Sequence, residues 1–317
     1  MRGAMGRMTR RNFLCGIAAS AAAGCAHRAP FASARDVGWS FDAHDGLRIS
    51  CPGIGRPVRL WVLADTHLAM RDARDAAFDG QTARMFQWPG DPHCLSLVLK
   101  RAKAEGVDRL LLAGDNISFP TLANVEFLKR ELDSCGVPWS YVAGNHDWRF
   151  EGDGGSDFEQ RARWIERRLR PLYQGADPLA SSVSVGGVRI VFIDNSLYHV
   201  TPGQLAFWRA EVAKGDPTLL VMHIPFWQPG WSVATCACPT WGAATDPYWE
   251  IERRERWAER LMPSTFEFRD AVVSAPNLIG VVAGHIHHHQ VAEANGRPMV
   301  TAPANGKGDV LPVLIAG

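Results

Sequence analysis

Five short, mostly apolar runs, each followed within three residues by aspartate, asparagine or histidine, constrain the fold of this chain most. They cover residues 58–62, 110–113, 141–143, 219–222 and 278–283. Uninterrupted runs of this length suit strands that are buried on both faces of a sheet. In layered α/β proteins, ligands gather beyond the carboxyl ends of such strands. We therefore expect the polar residues behind all five runs to converge on one rim.

The polar residues behind the runs are those that bind divalent metal ions. They are Asp65 and His67 behind the first run, Asp115 behind the second, Asn145 behind the third, His223 behind the fourth, and His285 and His287 behind the fifth. Two divalent ions about 3.5–4 Å apart can activate a water and clamp the oxygens of an in-line displacement. A shared carboxylate offsets the repulsion between such ions, while imidazoles and an amide complete each shell without excess negative charge. The motifs therefore predict a two-metal site.

The spacing within the motifs fits this prediction. In Asp65-Thr66-His67 and His285-Ile286-His287, an extended backbone would point alternate side chains to one face. The glycines before Asp115, Asn145 and His285 fit tight turns in which a Cβ would crowd the backbone. Each motif alone is also typical of ordinary turns, so the order of all five behind strand signals carries the prediction. We interpret His288 and His289 as solvated or supporting residues.

This ordered set of motifs resembles the calcineurin-like metallophosphoesterase superfamily, over roughly residues 59–301. The resemblance implies an α/β fold, a four-layer α-β-β-α sandwich of two mixed sheets flanked by helices. It also implies the ligands of each ion. Asp65, His67 and His287 would bind one ion, Asn145, His223 and His285 would bind the other, and Asp115 would bridge the two.

The resemblance also implies a catalytic pair. His146 would protonate or stabilise the leaving oxygen, and Asp147 would hold His146 in its charged form, since a neighbouring carboxylate raises the pKa of an imidazole. Purple acid phosphatases carry a metal-binding tyrosine three positions after the bridging aspartate. Here that position is Ser118, which argues against a tyrosinate-bound ferric ion and leaves manganese, iron(II) or zinc open.

The expected activity is hydrolysis of phosphate mono- or diesters by a metal-bridging hydroxide that attacks phosphorus. The motifs resemble the cyclic-nucleotide and glycerophosphodiester branch more than the protein-phosphatase branch, which favours a diesterase. A phosphomonoesterase and a non-catalytic metal-binding scaffold of the same fold are the alternatives. The intact ligand set and His146 argue against the scaffold. The expected partner is a small phosphoester, and the oligomeric state stays open.

The amino-terminal segment resembles a twin-arginine export signal. Arg10-Arg11 precedes a short apolar run that is too short for a membrane span, and Ala32-Ser33-Ala34 offers a cleavage site. We therefore expect residues 1–34 to be a leader that is recognised by the twin-arginine machinery, and the protein to be periplasmic or secreted. A lipoprotein modified at Cys25 is the alternative.

Removal of that leader changes the charge of the chain. Residues 1–34 hold five arginines and no acidic residue, so the formal net charge falls from +1 to −4. No basic stripe then favours nucleic acid as an obligate partner. Five cysteines stay in the mature chain, and spacing does not reveal their pairing. They are Cys51, Cys94, Cys135, Cys236 and Cys238.

Residues 35–317 are expected to form a single domain, with residues 35–57 as an extension or edge strand. Helices are predicted over residues 94–105, 125–135, 158–169, 204–213 and 250–261. The long connection over residues 226–270 is predicted to be a lid that governs specificity, because connections this long are often binding loops. In it, Trp227 and Trp231 are candidate substrate-binding residues, with packing as the alternative.

Overall fold

The computed structural model describes residues 36–87, 89–226 and 262–317. Twelve strands lie within these residues: β1 (Gly38–Asp42), β2 (Gly46–Ser50), β3 (Val58–Leu63), β4 (Arg109–Ala113), β5 (Trp139–Val142), β6 (Ala180–Val185), β7 (Val188–Ile193), β8 (Thr218–Val221), β9 (Leu278–Ala283), β10 (Gln290–Ala294), β11 (Arg297–Thr301) and β12 (Leu311–Ala316). Each of the five apolar runs contributes to one of them. The strand predictions are therefore confirmed.

The strands form two six-stranded mixed sheets. The first has the order β1-β2-β12-β3-β4-β5, and the second has the order β10-β11-β9-β8-β7-β6. Strands β3, β4 and β5 run parallel in the first sheet, and β7, β8 and β9 run parallel in the second. Antiparallel hairpins close the outer edges, β1 with β2 and β6 with β7. The predicted edge strand near residues 35–57 is confirmed as β1.

Helices cover the outer faces of both sheets. They are α1 (Asp79–Thr82), α2 (Pro92–Ala104), α3 (Leu122–Cys135), α4 (Asp157–Trp164), α5 (Arg170–Tyr173), α6 (Pro202–Val212) and α7 (Pro263–Val273). A π-helical turn, Ile165–Leu169, joins α4 to α5. Four of the predicted helices are present and begin one to three residues earlier than predicted, because polar caps precede the apolar face. The cap oxygens belong to Asp91, Thr121, Ser156 and Thr201.

Three apolar clusters show the layering. Side chains such as Leu60 and Phe192 fill the space between the two sheets. Leu110 packs with α2 and α3 on the outer face of the first sheet, and Leu220 packs with α6 and α7 on the outer face of the second. The predicted four-layer α-β-β-α sandwich is therefore confirmed.

Several predictions concern residues outside the described ranges. They are the export signal over residues 1–34 with Cys25, the helix over residues 250–261, Cys236 and Cys238, and the tryptophans Trp227 and Trp231. The described end of the predicted lid, residues 263–270, lies in α7, where Phe268 is buried against the second sheet. Within the described ranges, no helix combines the length and apolar character that crossing a membrane requires.

Candidate metal centre

The carboxyl ends of five parallel strands bring the candidate ligands to one rim. The first sheet contributes residues that follow β3, β4 and β5, and the second sheet contributes residues that follow β8 and β9. Asp65, Asp115, His223 and His285 each lie two residues beyond the end of a strand. The ligands therefore come from both sheets, at the edge where the sheets face each other.

One cluster, here called the first metal group, consists of Asp65, His67 and His287. Nε2 of His287 lies 3.4 Å from Oδ1 of Asp65 and 3.2 Å from Nε2 of His67. Burial, reinforced by the charge of neighbouring imidazoles, lowers the pKa of His67 to about 3. His67 is therefore neutral near pH 7, which is the form of imidazole that binds a cation.

The second metal group consists of Asp115, His223 and His285, all of them buried. Nε2 of His223 lies 3.1 Å from Oδ2 of Asp115, but the two atoms do not form a hydrogen bond in the described structure. Nδ1 of His223 lies 2.8 Å from the carbonyl oxygen of Ala113. This carbonyl accepts a hydrogen bond from Nδ1–H, so Nε2, which faces Asp115, is the nitrogen that a cation would bind.

Unsatisfied buried atoms show that both groups suit cations. Oδ1 of Asp65, Nε2 of His223 and Oδ1 of Asn145 are buried and have no hydrogen-bond partner in the described structure. Asn145 lies between Gly144, which packs against Asp115, and His146, whose backbone N–H donates to Asp115. Buried polar atoms without partners are costly unless an ion or water satisfies them. Carboxylate, imidazole and amide donors together suit the borderline divalent metals.

The backbone at these ligands is left-handed, which the sequence analysis did not predict. Asp65, His67, Asp115, His285 and His287 have φ between 50° and 75°. Each such non-glycine residue costs about 1–3 kcal/mol, and such strain clusters at functional sites. The prediction that an extended backbone aligns Asp65 with His67, and His285 with His287, is therefore wrong. The side chains converge because the ligands themselves adopt the left-handed conformation.

The glycines before the ligands allow the loops to approach one another. A Cβ on Gly144 would lie 2.1 Å from Oδ1 of Asp115, and a Cβ on Gly114 would lie 2.6 Å from Nδ1 of His223. On Gly284 it would lie 2.6 Å from the Cβ of Ala64. A side chain at any of these positions would displace a ligand or the strand beside it.

His146 lies between the two groups. Its ring centroid is 5.0 Å from that of His67 in the first group, while its backbone N–H donates to Oδ1 of Asp115 at 2.8 Å. Burial lowers the pKa of His146, and the charge of Asp115 opposes that shift. The His146 ring therefore lies next to His67 of the first group, and its backbone is fixed to Asp115 of the second.

Asp147 is hydrogen-bonded to the backbone of two loops of the site. Its Oδ2 accepts hydrogen bonds from the backbone N–H groups of Asp115 and Gly144, and its Oδ1 accepts one from Ile117. Asp147 is fully buried, and burial together with the charge of Asp115 raises its pKa. Through these backbone contacts, Asp147 ties the loop after β4 to the loop after β5. The role of Asp147 in holding the His146 imidazole stays a prediction.

Ser118 and the last two histidines of the 285–289 segment have supporting contacts. The hydroxyl of Ser118 donates to the backbone carbonyl of His67, so it fixes the loop rather than facing a cation. Nδ1 of His289 lies 3.3 Å from the carbonyl oxygen of Thr301. Thr301 in turn donates to the carbonyl of His288.

Two residues that were not predicted from the sequence lie beside the second group. Nε2 of His285 lies 3.0 Å from the hydroxyl of Tyr198, and the side chain of Asn195 binds the backbone of Ile224, next to His223. Both lie in the loop after β7. The signal was present, because Asp194-Asn195 follows the apolar run 188–193 in the same way that the ligands follow theirs.

Comparison with known proteins supports the resemblance stated from the motifs. The model of the calcineurin-like phosphoesterase family matches residues 58–289. A probable cyclic nucleotide phosphodiesterase from Psychrobacter sp. (strain PRwf-1) is 23% identical over 224 residues. That alignment covers 66% of this chain and 55% of the relative, so the chain spans about half the length of the curated relative it matches.

Two solved structures align with this chain. A dimetal phosphatase from Danio rerio aligns with a TM-score of 0.47 and 14% identity, over 78% of this chain and 87% of that one. A purple acid phosphatase from yellow lupin (Lupinus luteus) aligns with a TM-score of 0.49 and 14% identity, over 83% of this chain and 47% of that one.

Proposed function

Because this chain belongs to the calcineurin-like phosphoesterase family, whose members use a dinuclear metal centre, we propose that it is a two-metal hydrolase of phosphate esters. The observation that carries the proposal is the pairing of two ligand clusters at one rim, each of which combines a carboxylate with two imidazoles. A structural metal site would need only one such cluster and would be closed to solvent. Here His287 keeps a quarter of its side chain exposed.

The proposed ligands follow from the geometry. Asp65, His67 and His287 would hold one divalent cation, and His223, His285 and Asn145 would hold the other. Asp115 would bridge them, since it lies in the second group and its charge also acts on His67 of the first. Two bound cations would lower the pKa of a water and neutralise the charge of the phosphoryl oxygens. Manganese, iron(II) and zinc all suit this donor set.

The residues of the chain divide the remaining work. His146 donates a proton or a hydrogen bond to the leaving oxygen, because its ring lies beside the first group at the rim. The backbone N–H of His146 binds Asp115, which fixes the distance between this donor and the second group. Asp147 keeps the two loops together from behind.

A phosphodiester is the preferred substrate, with a phosphomonoester as the alternative. The similar Psychrobacter protein is named a probable cyclic nucleotide phosphodiesterase, which supports the preference that the Gly144–Asp147 motif suggested. A diester has one negative charge fewer than a monoester dianion and therefore needs fewer cationic side chains around the phosphorus. Trp227 and Trp231 stay the proposed contacts to the organic group of the ester.

Hydrolysis of paired chromogenic substrates tests the proposal. Bis-p-nitrophenyl phosphate and p-nitrophenyl phosphate are compared with manganese, zinc or iron(II) added to chelator-treated protein. We expect metal-dependent hydrolysis with a higher kcat/KM for the diester. Absence of hydrolysis with every metal would contradict the enzyme proposal, and a higher kcat/KM for the monoester would establish the alternative.

Two further proposals concern the place of action. We propose that residues 1–34 direct twin-arginine export, so that the enzyme acts in the periplasm or outside the cell, with lipid attachment at Cys25 as the alternative. Fractionation of cells that express Arg10→Lys/Arg11→Lys beside the unaltered chain tests this. Equal amounts of exported protein from the two would contradict it.

A further inference from the structure

The loop after β7 reaches the metal rim without contributing a candidate ligand. Strand β7 runs parallel to β8, so its carboxyl end lies at the same rim as His223. All seven residues over 194–200 are buried. Connecting loops normally run over the surface, and a buried loop must satisfy its polar groups internally. In this loop, side-chain polar groups form hydrogen bonds with residues in or next to the second metal group.

Asn195 holds the backbone beside His223. Its Oδ1 accepts a hydrogen bond from the backbone N–H of Ile224 at 3.0 Å, and its Nδ2 donates to the carbonyl oxygen of Ile224 at 2.5 Å. One side chain thus binds both polar groups of the residue that follows His223. The carbonyl of Ala113 also forms a hydrogen bond with Nδ1 of His223. His223 is therefore restrained at both its backbone and its ring.

Tyr198 holds the ring of His285. Its hydroxyl lies 3.0 Å from Nε2 of that imidazole. Both residues are left-handed, Tyr198 with φ 63° and His285 with φ 75°. The backbone N–H of His285 also donates to Oδ2 of Asp65 at 2.8 Å. Residues with strained backbone persist only where the surrounding structure holds them in place. Two such residues joined by one hydrogen bond therefore indicate that the fold stabilises this contact.

The loop is itself tied to the opposite side of the fold. Oδ1 of Asp194 accepts from the backbone N–H and the hydroxyl of Ser196 and lies 3.3 Å from the guanidinium of Arg161 in α4. The indole N–H of Trp148, next to Asp147, donates to the hydroxyl of Ser196 at 2.9 Å. The backbone N–H of Tyr198 donates to the carbonyl of Asn195 at 2.7 Å, which joins the two contacts.

We infer that Asn195 and Tyr198 are positioning residues for the second metal group. In the tautomer proposed here, the hydroxyl of Tyr198 accepts a hydrogen bond from Nε2–H of His285, which leaves Nδ1 of that ring for a cation. Asn195 fixes the direction from which His223 approaches. The hydrogen bonds described above join Tyr198 to a member of the second metal group and Asn195 to the residue that follows another member. The inference rests on the proposed two-metal function and predicts that changes in this loop weaken the binding of one cation and spare the other.

Calorimetric titration of chelator-treated protein with manganese is the test. In Tyr198→Phe, we expect one of two binding events to weaken by about 10–100-fold, the usual cost of losing a partner of a ligating histidine. The other event should keep its affinity. Tyr173→Phe is the matched control, because it removes a buried tyrosine hydroxyl that has no hydrogen-bond partner.

Asn195→Asp is the second test variant. It keeps the oxygen that accepts a hydrogen bond from the backbone N–H of Ile224 and loses the NH₂ group that donates to the carbonyl of Ile224. Asn277→Asp makes the same change at the opposite end of the strands, where Nδ2 donates to the carbonyls of Val212 and Asp216. We expect selective loss of one binding event in Asn195→Asp and unchanged affinities in Asn277→Asp.

The outcomes separate the two claims. Unchanged affinities in both Tyr198→Phe and Asn195→Asp, or equal weakening of both binding events, would overturn the positioning role. An unaltered chain that binds no second manganese ion would instead contradict the proposed two-metal function. Melting temperatures in chelator, equal within each matched pair, would confirm that the losses come from the site and not from the fold.

Discussion

The two metal groups have the same composition, a carboxylate and two imidazoles, yet they differ in burial and support. In the second group all three residues are buried, and both imidazoles have a second contact, His223 to a carbonyl and His285 to Tyr198. In the first group, His67 and His287 keep 13% and 26% of their side chains exposed and face each other at 3.2 Å. The difference suggests a preorganised inner position, which binds its cation tightly, and an open outer position, where substrate arrives.

Removal of the shared charge should have the largest effect. In Asp115→Asn, one negative charge is lost from the point where two cations would meet, so occupancy of both positions and turnover should fall together. Removal of a general acid typically lowers turnover by roughly 10²–10⁴-fold. We expect the loss of turnover in Asp115→Asn to be greater. Elemental analysis and kinetics measure this. Asp133→Asn, an exposed change on α3, is the control, and two retained metals with near-native turnover would exclude a bridging role.

His146→Ala should leave both positions filled and still lower turnover. His146 contacts Asp115 only through its backbone, so metal content should be unchanged while turnover falls by about 10²–10⁴-fold. The loss should be larger for an alkoxide leaving group than for p-nitrophenolate, which needs little protonation. His93→Ala, at an exposed position of α2, is the control. Equal losses on both leaving groups would exclude the acid role.

Paired histidine changes compare the two positions directly. His287→Ala should remove the outer cation and keep the inner one, because the second group does not include His287. His223→Ala should remove the inner cation and also leave Asp115 without its nearest imidazole. Retained metal per chain, measured after gel filtration, should therefore be about one in the first variant and lower in the second. The reverse order would show that the exposed group binds more tightly.

The smallest effect is expected at Asp147, behind both groups. Asp147→Asn places an NH₂ group against backbone N–H donors, so the free energy of unfolding should fall by about 1–3 kcal/mol. Urea denaturation in chelator measures it, with Asp133→Asn as reference. The described hydrogen bonds of Asp147 are to the loops, so we expect the loss in turnover to be equal for both leaving groups. A larger loss for the alkoxide would support the predicted contact of Asp147 with the His146 ring.

The sequence predicted the sheets and the ligands because both depend on local patterns. Buried parallel strands have continuous apolar sequences, and their carboxyl ends lie at one edge of the sheet independently of the loop conformations. Asp65, Asp115 and His285 could therefore be assigned from position alone. The helix starts were predicted late, since Ser156 and Thr201 act as caps before any apolar residue appears.

The contacts between loops could not be predicted, because they depend on backbone dihedrals that no spacing rule fixes. Left-handed φ at Asp65 and His67 replaced the expected extended backbone. The hydrogen bonds from the backbone of Ile117 and Asp115 to the oxygens of Asp147 were likewise not predicted. Tyr198 lies 87 residues from His285 in the chain, and the order β9-β8-β7 in the second sheet brings the two together.

Anomalous scattering from crystals soaked with manganese tests the two-position account most directly. At limiting manganese, we expect a peak first among Asp115, His223, His285 and Asn145, and at higher concentration a second peak among Asp65, His67 and His287 with Asp115 between them. A single peak at every concentration, or peaks away from both groups, would contradict the account.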